Sequence, residues 1–284
     1  MPELPEVETI RSQLSQQLPL KIKMVKQTAG LKKNILKSKI DLNDKTLIKI
    51  DRKGKVLIFI FEDGSTMLSH LGMTGTWLIG EEVHLTKHSH LILSGLNKSK
   101  KDFIFAYDDP RRFGKIYFSE KINQSTDNSK SKLSLVEKKL AELGLDLLDP
   151  QLDLDYLEHA LQKFPERALK VTLLDQKLFA GSGNYIASEI CARAKILPTR
   201  LCKNIKSPEY VLILKAIDEV VTLALKSGGT TFQGGYRDSS GEAGLGKSNL
   251  VVFYQKTCQM CKKNLVTKIM LNQRGTYFCS ICQK

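Results

Sequence analysis

Met1-Pro2-Glu3-Leu4-Pro5-Glu6-Val7-Glu8-Thr9 opens the chain and sets a secondary amine beside carboxylates at the start of a helix. Proline is small enough behind the initiator for Met1 to be removed, which leaves Pro2 as a free terminal amine. Ordinary α-amino groups titrate at about 7.7–8.0, and burial or charge tunes them further. A neutral amine of this kind attacks an electrophilic sugar carbon and forms a Schiff base, as catalytic lysines do. Glu3 beside it can serve as general acid and base. The same residues also read as a helix entry. Pro5 suits the first turn, Glu6 and Glu8 complement the helix dipole, and Val7, Ile10, Leu14 and Leu18 form an apolar stripe. The two readings are compatible, with the nucleophile placed before the helix and the helix fixing its position.

The bulk numbers give this chemistry a setting. At 284 residues, 42% of them hydrophobic, the chain can bury two domain cores and a small appendage. A net charge of +14 and a pI of about 9.4 call for a polyanionic partner, either nucleic acid or an anionic membrane. No apolar run reaches the roughly 18 residues of a spanning helix, and the acidic N-terminus lacks a signal-peptide core. A cytoplasmic, nucleoid-associated monomer facing DNA, with no membrane, is the simpler expectation. Four of the six cysteines form Cys258-x2-Cys261-x17-Cys279-x2-Cys282. Paired knuckles at this separation read as a closed tetrahedral site for one structural zinc ion, since disulfides require an oxidising compartment for which there is no targeting signal. Cys191 and Cys202 read as core residues.

Residues 1–20 read as a helix. From about 22 to 119 short alternating strands lie between polar or Gly-containing turns, among them 55–61, 66–71, 76–79, 90–93, 103–107 and 115–118. Their spacing suggests an antiparallel sandwich. The polar stretch 121–132 reads as a linker. Beyond it the period turns helical near 133–143, 153–163, 166–178, 184–195 and 208–226, and a loop rich in Gly and Ser covers 234–248. The fold class is therefore α+β. A helix and β-sandwich domain (1–120) is followed by a linker and first helix (121–150). A helical domain (151–228), a loop (229–248) and a zinc-finger hairpin (249–284) complete the chain.

Six further stretches carry chemistry. Asp109-Pro110-Arg111-Arg112-Phe113-Gly114 joins two planar cations, which pair with base edges, to an aromatic residue able to unstack a base step. His70-Leu71-Gly72-Met73-Thr74-Gly75 puts Met73 at the tip of a tight turn. Lys53-Gly54-Lys55 opens a strand, and Lys87-His88-Ser89-His90 opens another. Gly181-Ser182-Gly183-Asn184 makes a double turn in which Asn184 can cap a helix whose free amides suit phosphate; Lys170, just upstream, adds charge. Asn272-Gln273-Arg274 lies between the cysteine knuckles. Each also has a bland reading as a solvated turn, a core filler or a helix end.

Together with the opening string, these motifs resemble formamidopyrimidine-DNA glycosylase over essentially the whole chain. That resemblance implies a helix–two-turn–helix domain and DNA crossing a cleft beside the β domain. The partner is double-stranded DNA containing an oxidised base. It also implies a bifunctional glycosylase and apurinic/apyrimidinic lyase that excises oxidised purines and nicks the strand by β,δ-elimination. Pro2, Glu3, Lys55 and Arg274 would be its catalytic residues. Met73 would fill the hole left by the flipped nucleotide, Arg111 face the orphaned base and Phe113 wedge the stack. Arg112, His88, Asn184 and Lys170 would hold phosphate.

Three departures from the family pattern stand out. One more residue than usual separates the cysteine knuckles, which suggests an insertion at the hairpin tip. Asn184-Tyr185-Ile186 looks closer to endonuclease VIII, the relative acting on oxidised pyrimidines. The loop Asp238–Gly246 lacks the usual Pro-Gly-Tyr-Phe segment of the lesion cap. An endonuclease VIII-like activity is therefore the alternative. A non-catalytic damage-binding module fits poorly with Pro2, Glu3 and Lys55 together, and a zinc-ribbon regulator leaves the N-terminal string unexplained.

Overall fold

The computed structural model describes residues 1–120, 134–232 and 235–284; the linker read at 121–132 lies outside the described residues. The chain divides into two compact units, 1–142 with 230–244, and 143–229 with 245–284.

The first unit begins with helix α1 (Leu4–Ser15), whose Leu4, Val7, Ile10 and Leu14 are buried. The Glu3 amide, one of the donors that a helix start leaves unpaired, donates to Glu6 Oε2 at 2.7 Å. Eight antiparallel strands follow: β1 (Leu20–Gln27), β2 (Thr46–Lys53), β3 (Val56–Phe61), β4 (Thr66–His70), β5 (Thr76–Gly80), β6 (Ser89–Leu96), β7 (Asp102–Asp108) and β8 (Lys115–Ser119). They are hydrogen-bonded in one sheet of order β5-β7-β6-β1-β2-β3-β4-β8. The two layers of the expected sandwich are thus two parts of a single sheet turned on itself. Trp77 of β5 lies 4.9 Å, centroid to centroid, from Phe59 of β3, and its indole N–H donates to Ser69 Oγ of β4 at 3.0 Å. A short helix α2 (Leu135–Ala141) belongs to this unit, and Ser134 caps it by accepting from the Glu137 amide.

The second unit holds a two-residue strand β9 (Leu145–Asp146), α3 (Leu154–Gln162), α4 (Leu169–Leu173), the short β10 (Phe179–Ala180), α5 (Asn184–Arg193) and α6 (Ser207–Lys226), then the hairpin β11 (Thr267–Leu271) and β12 (Arg274–Phe278). The 3.6-residue period marks α6 well, because Tyr210, Ile213, Ile217, Val220 and Ala224 share its buried face. The helix expected over 166–178 is shorter. It ends at Leu173, and 175–178 close instead as a tight turn in which Leu178 N donates to Asp175 O at 3.0 Å.

The hairpin also differs from expectation. Its tip is a two-residue turn with Asn272 at φ 46° and Gln273 at φ 60°, and Leu271 pairs directly with Arg274. Two left-handed residues make the shortest hairpin connection, so the extra residue between the knuckles is not at the tip.

Candidate active site

One end of the sheet in the first unit gathers three of the expected stretches. In the register, Val56 pairs with His70 and His70 with Lys115. The turn before β3, the loop after β4 and the loop before β8 therefore emerge together. They carry Lys55, Met73 and Arg111–Phe113 respectively.

The last two loops are interlocked through Asp109. Its buried carboxylate accepts from Thr74 Oγ1 at 2.7 Å, from the Gly114 amide at 2.8 Å and from the Tyr107 hydroxyl at 3.3 Å. Thr74 Oγ1 in turn accepts from the Arg111 amide at 3.3 Å. Burial and the Asp109 charge push the Tyr107 phenol well above its ordinary range. Only glycine fits at 72. Its φ is +69°, and a Cβ there would stand 2.6 Å from the Gly114 nitrogen and the Phe113 carbonyl carbon. Held this way, the loops expose an apolar and cationic crest. Met73 is 40% and Phe113 48% solvent-accessible, and the Arg111 guanidinium lies 4.7 Å above the Phe113 ring. Large apolar groups left in water on a rigid frame are the kind of exposure that marks a binding surface.

Pro2, Glu3 and Lys55 are all buried. A salt-bridge relay ties α1 to the turn that carries Lys55. Glu8 accepts from Arg11 at 2.7 Å and from Arg52 Nε at 2.8 Å, and Arg52 donates onward to Gly54 O at 2.9 Å. Burial raises the Glu8 carboxyl, but the two guanidinium groups prevail and hold it below the ordinary range.

The reading of the sequence passed over His70 and Asp109. His70 Nδ1 accepts the Gly72 amide at 3.1 Å. Burial, with the charges of Lys55 and Lys115, brings its pKa down to about 4. The ring is neutral at pH 7 and keeps its proton on Nε2 as a donor. The signal was a histidine adjoining the Gly72 turn, in register with a lysine-bearing strand start. Of the histidines at 88 and 90, His90 is structural: it is buried, with Nδ1 2.9 Å from Thr28 Oγ1 and Nε2 3.2 Å from Asp109 O. His88 stays partly exposed, and Arg112 is exposed in a left-handed conformation at φ 54°.

In the second unit, Asn184 is not a cap. Gly183 occupies that position, and the Asn184 side chain turns to the hairpin, donating from Nδ2 to Gly275 O at 3.0 Å. Lys170 differs from expectation more sharply, being 1% exposed. Its ammonium donates to Asn184 Oδ1 and Thr276 Oγ1, both at 2.8 Å, and to Gly275 O at 3.3 Å. A buried charge must be paired or hydrogen-bonded; here it welds α4, α5 and the hairpin instead of facing solvent. Arg274 is exposed at the start of β12. Gln176 organises the double turn, donating to Leu174 O and Ser182 O and accepting from the Gly181 amide. Tyr185 is buried, 6.2 Å from the Phe253 ring, which makes the Asn184-Tyr185 order a packing feature.

The Sγ atoms of Cys258, Cys261, Cys279 and Cys282 lie within 4.8 Å of one another, with Cys258 and Cys282 at 3.9 Å. Ligands at Zn–S distances of about 2.3 Å in a tetrahedron stand about 3.8 Å apart, so the four thiols fit a metal ion. Amides of Asn264 and Lys263 bring Cys261 down to about 6, while burial and the neighbouring sulfurs push Cys282 up to about 12. Crowded sulfurs of this kind are relieved by a cation. Cys191 is fully buried, and burial pushes its thiol up to about 12, as suits a core residue.

Comparison with known proteins converges on one group. Residues 1–116 match the formamidopyrimidine-DNA glycosylase N-terminal domain, and residues 143–234 match the formamidopyrimidine-DNA glycosylase H2TH domain. The chain belongs to the formamidopyrimidine-DNA glycosylase family. Members from Ureaplasma parvum and Listeria innocua are 35% and 34% identical over the full length of both chains. The Thermus thermophilus MutM (Fpg) structure superposes with a TM-score of 0.83 at 28% identity, covering 99% of this chain and 98% of that one. The Lactococcus lactis enzyme, solved with DNA containing N7-benzyl-Fapy-dG, gives 0.80 at 29% identity over the whole of both chains. No helix among the described residues is long and apolar enough to cross a membrane.

Proposed function

We propose that this family member is a bifunctional base-excision enzyme acting on oxidised purines in duplex DNA. The observation that carries the reading is the exposed crest of Met73, Arg111 and Phe113 on loops locked by Asp109, at the sheet end that also holds Lys55 and His70. A flipped nucleotide leaves a gap that needs filling and an orphaned base that needs a partner. A flexible apolar side chain, an aromatic wedge and a donor-only guanidinium supply both functions.

With Met1 removed, the Pro2 nitrogen lone pair attacks C1′ of the extruded nucleotide. The N-glycosidic bond breaks, and the base leaves carrying the proton that the Pro2 nitrogen gives up on bonding to C1′. Glu3 delivers a proton to the ring oxygen, the sugar opens, and a Schiff base joins Pro2 to C1′. Loss of a proton from C2′ expels the 3′ phosphate, and a second elimination expels the 5′ phosphate. Lys55, His88, Arg112, Asn184 and Arg274 are assigned to phosphates, with Lys170 acting by orienting Asn184 and the hairpin. Complexes of MutM with DNA containing carbocyclic 8-oxo-G, and of the L. lactis enzyme with Fapy-dG DNA, support the substrate class. The four cysteines are assigned one structural zinc, which rigidifies the hairpin bearing Arg274 and takes no part in the chemistry.

Borohydride added during reaction with 8-oxoguanine duplex tests the nucleophile. A trapped adduct mapping to residue 2 is expected; an adduct on Lys55 refutes the assignment.

A further inference from the structure

Between β1 and β2, residues 28–45 bury Leu31, Ile35, Ile40 and Leu42 in the core and carry Lys32, Lys33, Lys37 and Lys39, with no acidic residue between 28 and 40. All four lysines are exposed, and among the described residues none is in an ion pair. The flanking segments behave differently: Lys23 pairs with Asp102, Lys45 with Asp63 and Lys49 with Asp51. Gln27, Lys32, Leu36, Ser38, Lys39 and Ile40 line an open groove of about 500 Å3.

The groove is fastened to the strand that follows the crest. The Lys37 amide donates to Ile116 O at 2.8 Å, the Phe118 amide to Ser38 Oγ at 2.6 Å, and Lys115 Nζ to Asn34 O at 3.1 Å. At its near end, a Cβ on Gly30 would lie 3.6 Å from Arg112 Cδ. Since β8 is the edge of the sheet and begins one residue after Gly114, the lysine segment is a continuation of the Arg111–Phe113 loop along that edge. Cations crowd there: burial and the Lys37 charge together hold Lys115 below its ordinary range. Unpaired like charges set side by side on a rigid frame cost stability that an arriving anion recovers.

We propose that this groove and its rim hold the sugar–phosphate backbone of the duplex on the flank of the wedge, with Lys32 and Lys39 in the groove and Lys37 beside it on phosphates, and the half-buried Leu36 against the sugars. The inference rests on the DNA-glycosylase reading and extends its footprint. The five residues of β8 span roughly 16 Å, the axial rise of four to five phosphates on one strand, so two or three contacts fit. A mixed floor of amide, hydroxyl and aliphatic groups between ammonium tips suits a deoxyribose-phosphate chain, which alternates charge with apolar surface.

The test is the salt dependence of binding to an undamaged duplex, measured by fluorescence anisotropy with the full chain. Each lost phosphate contact lowers the slope of log K against log salt by about 0.9. Lys32→Gln/Lys37→Gln/Lys39→Gln should flatten the slope by about 2–3, and the corresponding triple arginine variant should restore it. A charge-matched control, Lys98→Gln/Lys100→Gln/Lys101→Gln, alters the β6–β7 turn at the opposite end of β7 from the crest and should leave the slope unchanged. An unaltered slope in the groove variant, or equal flattening in both variants, overturns the proposal. Because undamaged DNA is the probe, that failure is distinct from a failure of the excision reading, which shows as absent borohydride trapping by the unmodified enzyme.

Discussion

Acidification isolates one residue of the site, His70. Its folded pKa of about 4 lies below the ordinary 6.5 because the ring is buried between the Lys55 and Lys115 charges. The unfolded chain therefore takes up this proton first, so the stabilising contribution is complete above pH 6.5 and is lost as pH falls toward 4. Between pH 7 and pH 4 a difference of that size is worth about 3 kcal/mol, and solvent at the partly exposed ring edge reduces it to roughly 2–3 kcal/mol. His70→Asn separates this term from the other titrating groups. Asn presents an oxygen where Nδ1 accepts the Gly72 amide but carries no proton in this range. Urea unfolding at pH 7, 5 and 4 should show the wild type losing roughly 2–3 kcal/mol more than the Asn variant. Imidazole 15N shifts should show His70 neutral, protonated at Nε2, down to about pH 4. A midpoint near 6.5, or parallel pH profiles for the two proteins, refutes the placement of His70 against two lysines.

Glu189 accepts the Val251, Val252 and Phe253 amides at 2.8, 3.0 and 2.8 Å, so Glu189→Ala orphans three buried donors and should cost roughly 3–5 kcal/mol in denaturant unfolding; a loss under about 1 kcal/mol contradicts the cradle. Cys279→Ser should abolish stoichiometric zinc by metal analysis and weaken DNA binding, and retained metal removes the four-thiolate site. Arg111→Ala should erase a preference for 8-oxoguanine opposite cytosine over adenine worth about 1–3 kcal/mol, while borohydride trapping on abasic DNA persists; equal single-turnover excision opposite both bases by the unmodified enzyme sinks this role.

Much of the molecule was legible because local rules governed it. The cysteine spacing, the α6 stripe and the Pro5 helix entry each state their structure within a few residues. What was missed depends on partners distant in the chain. Lys170 read as a phosphate ligand because a lysine near a glycine-rich turn is ordinarily solvated, and only the return of the chain at Gly275 and Thr276 buries it. Asn184 read as a cap because its type suits one, but the same contacts redirect its side chain and leave Gly183 in the capping place. Asp109 opens a basic motif whose arginines and aromatic residue carry the reading, and no role for the carboxylate follows from that motif alone. Its role required the 71–75 loop to arrive beside it, which follows from the β4–β8 register and is invisible in either segment alone.

Glu6 shows the same principle at the start of the chain. In isolation it is an acid in a first helical turn, worth a few tenths of a kcal/mol to about 1 kcal/mol against the dipole. In the fold its carboxylate is 1% exposed and divided between two amides. One oxygen accepts from Glu3, next to Pro2; the other accepts from Thr230 at 2.7 Å, where the 230–244 excursion begins. Two turns along the same helix, Gln13 holds that excursion again, donating to Asp238 and accepting from the Ser239 amide. Residues seven apart lie on one helical face, so α1 is both the mount for Pro2 and Glu3 and the rail along which the loop is fastened. Thr230 at one point and Asp238 with Ser239 at another are thus fastened to the helix that follows Pro2 and Glu3. The 238–246 segment, which lacks the expected lesion-cap sequence, is thereby held by the Gln13 amide to the same helix that the opening string begins.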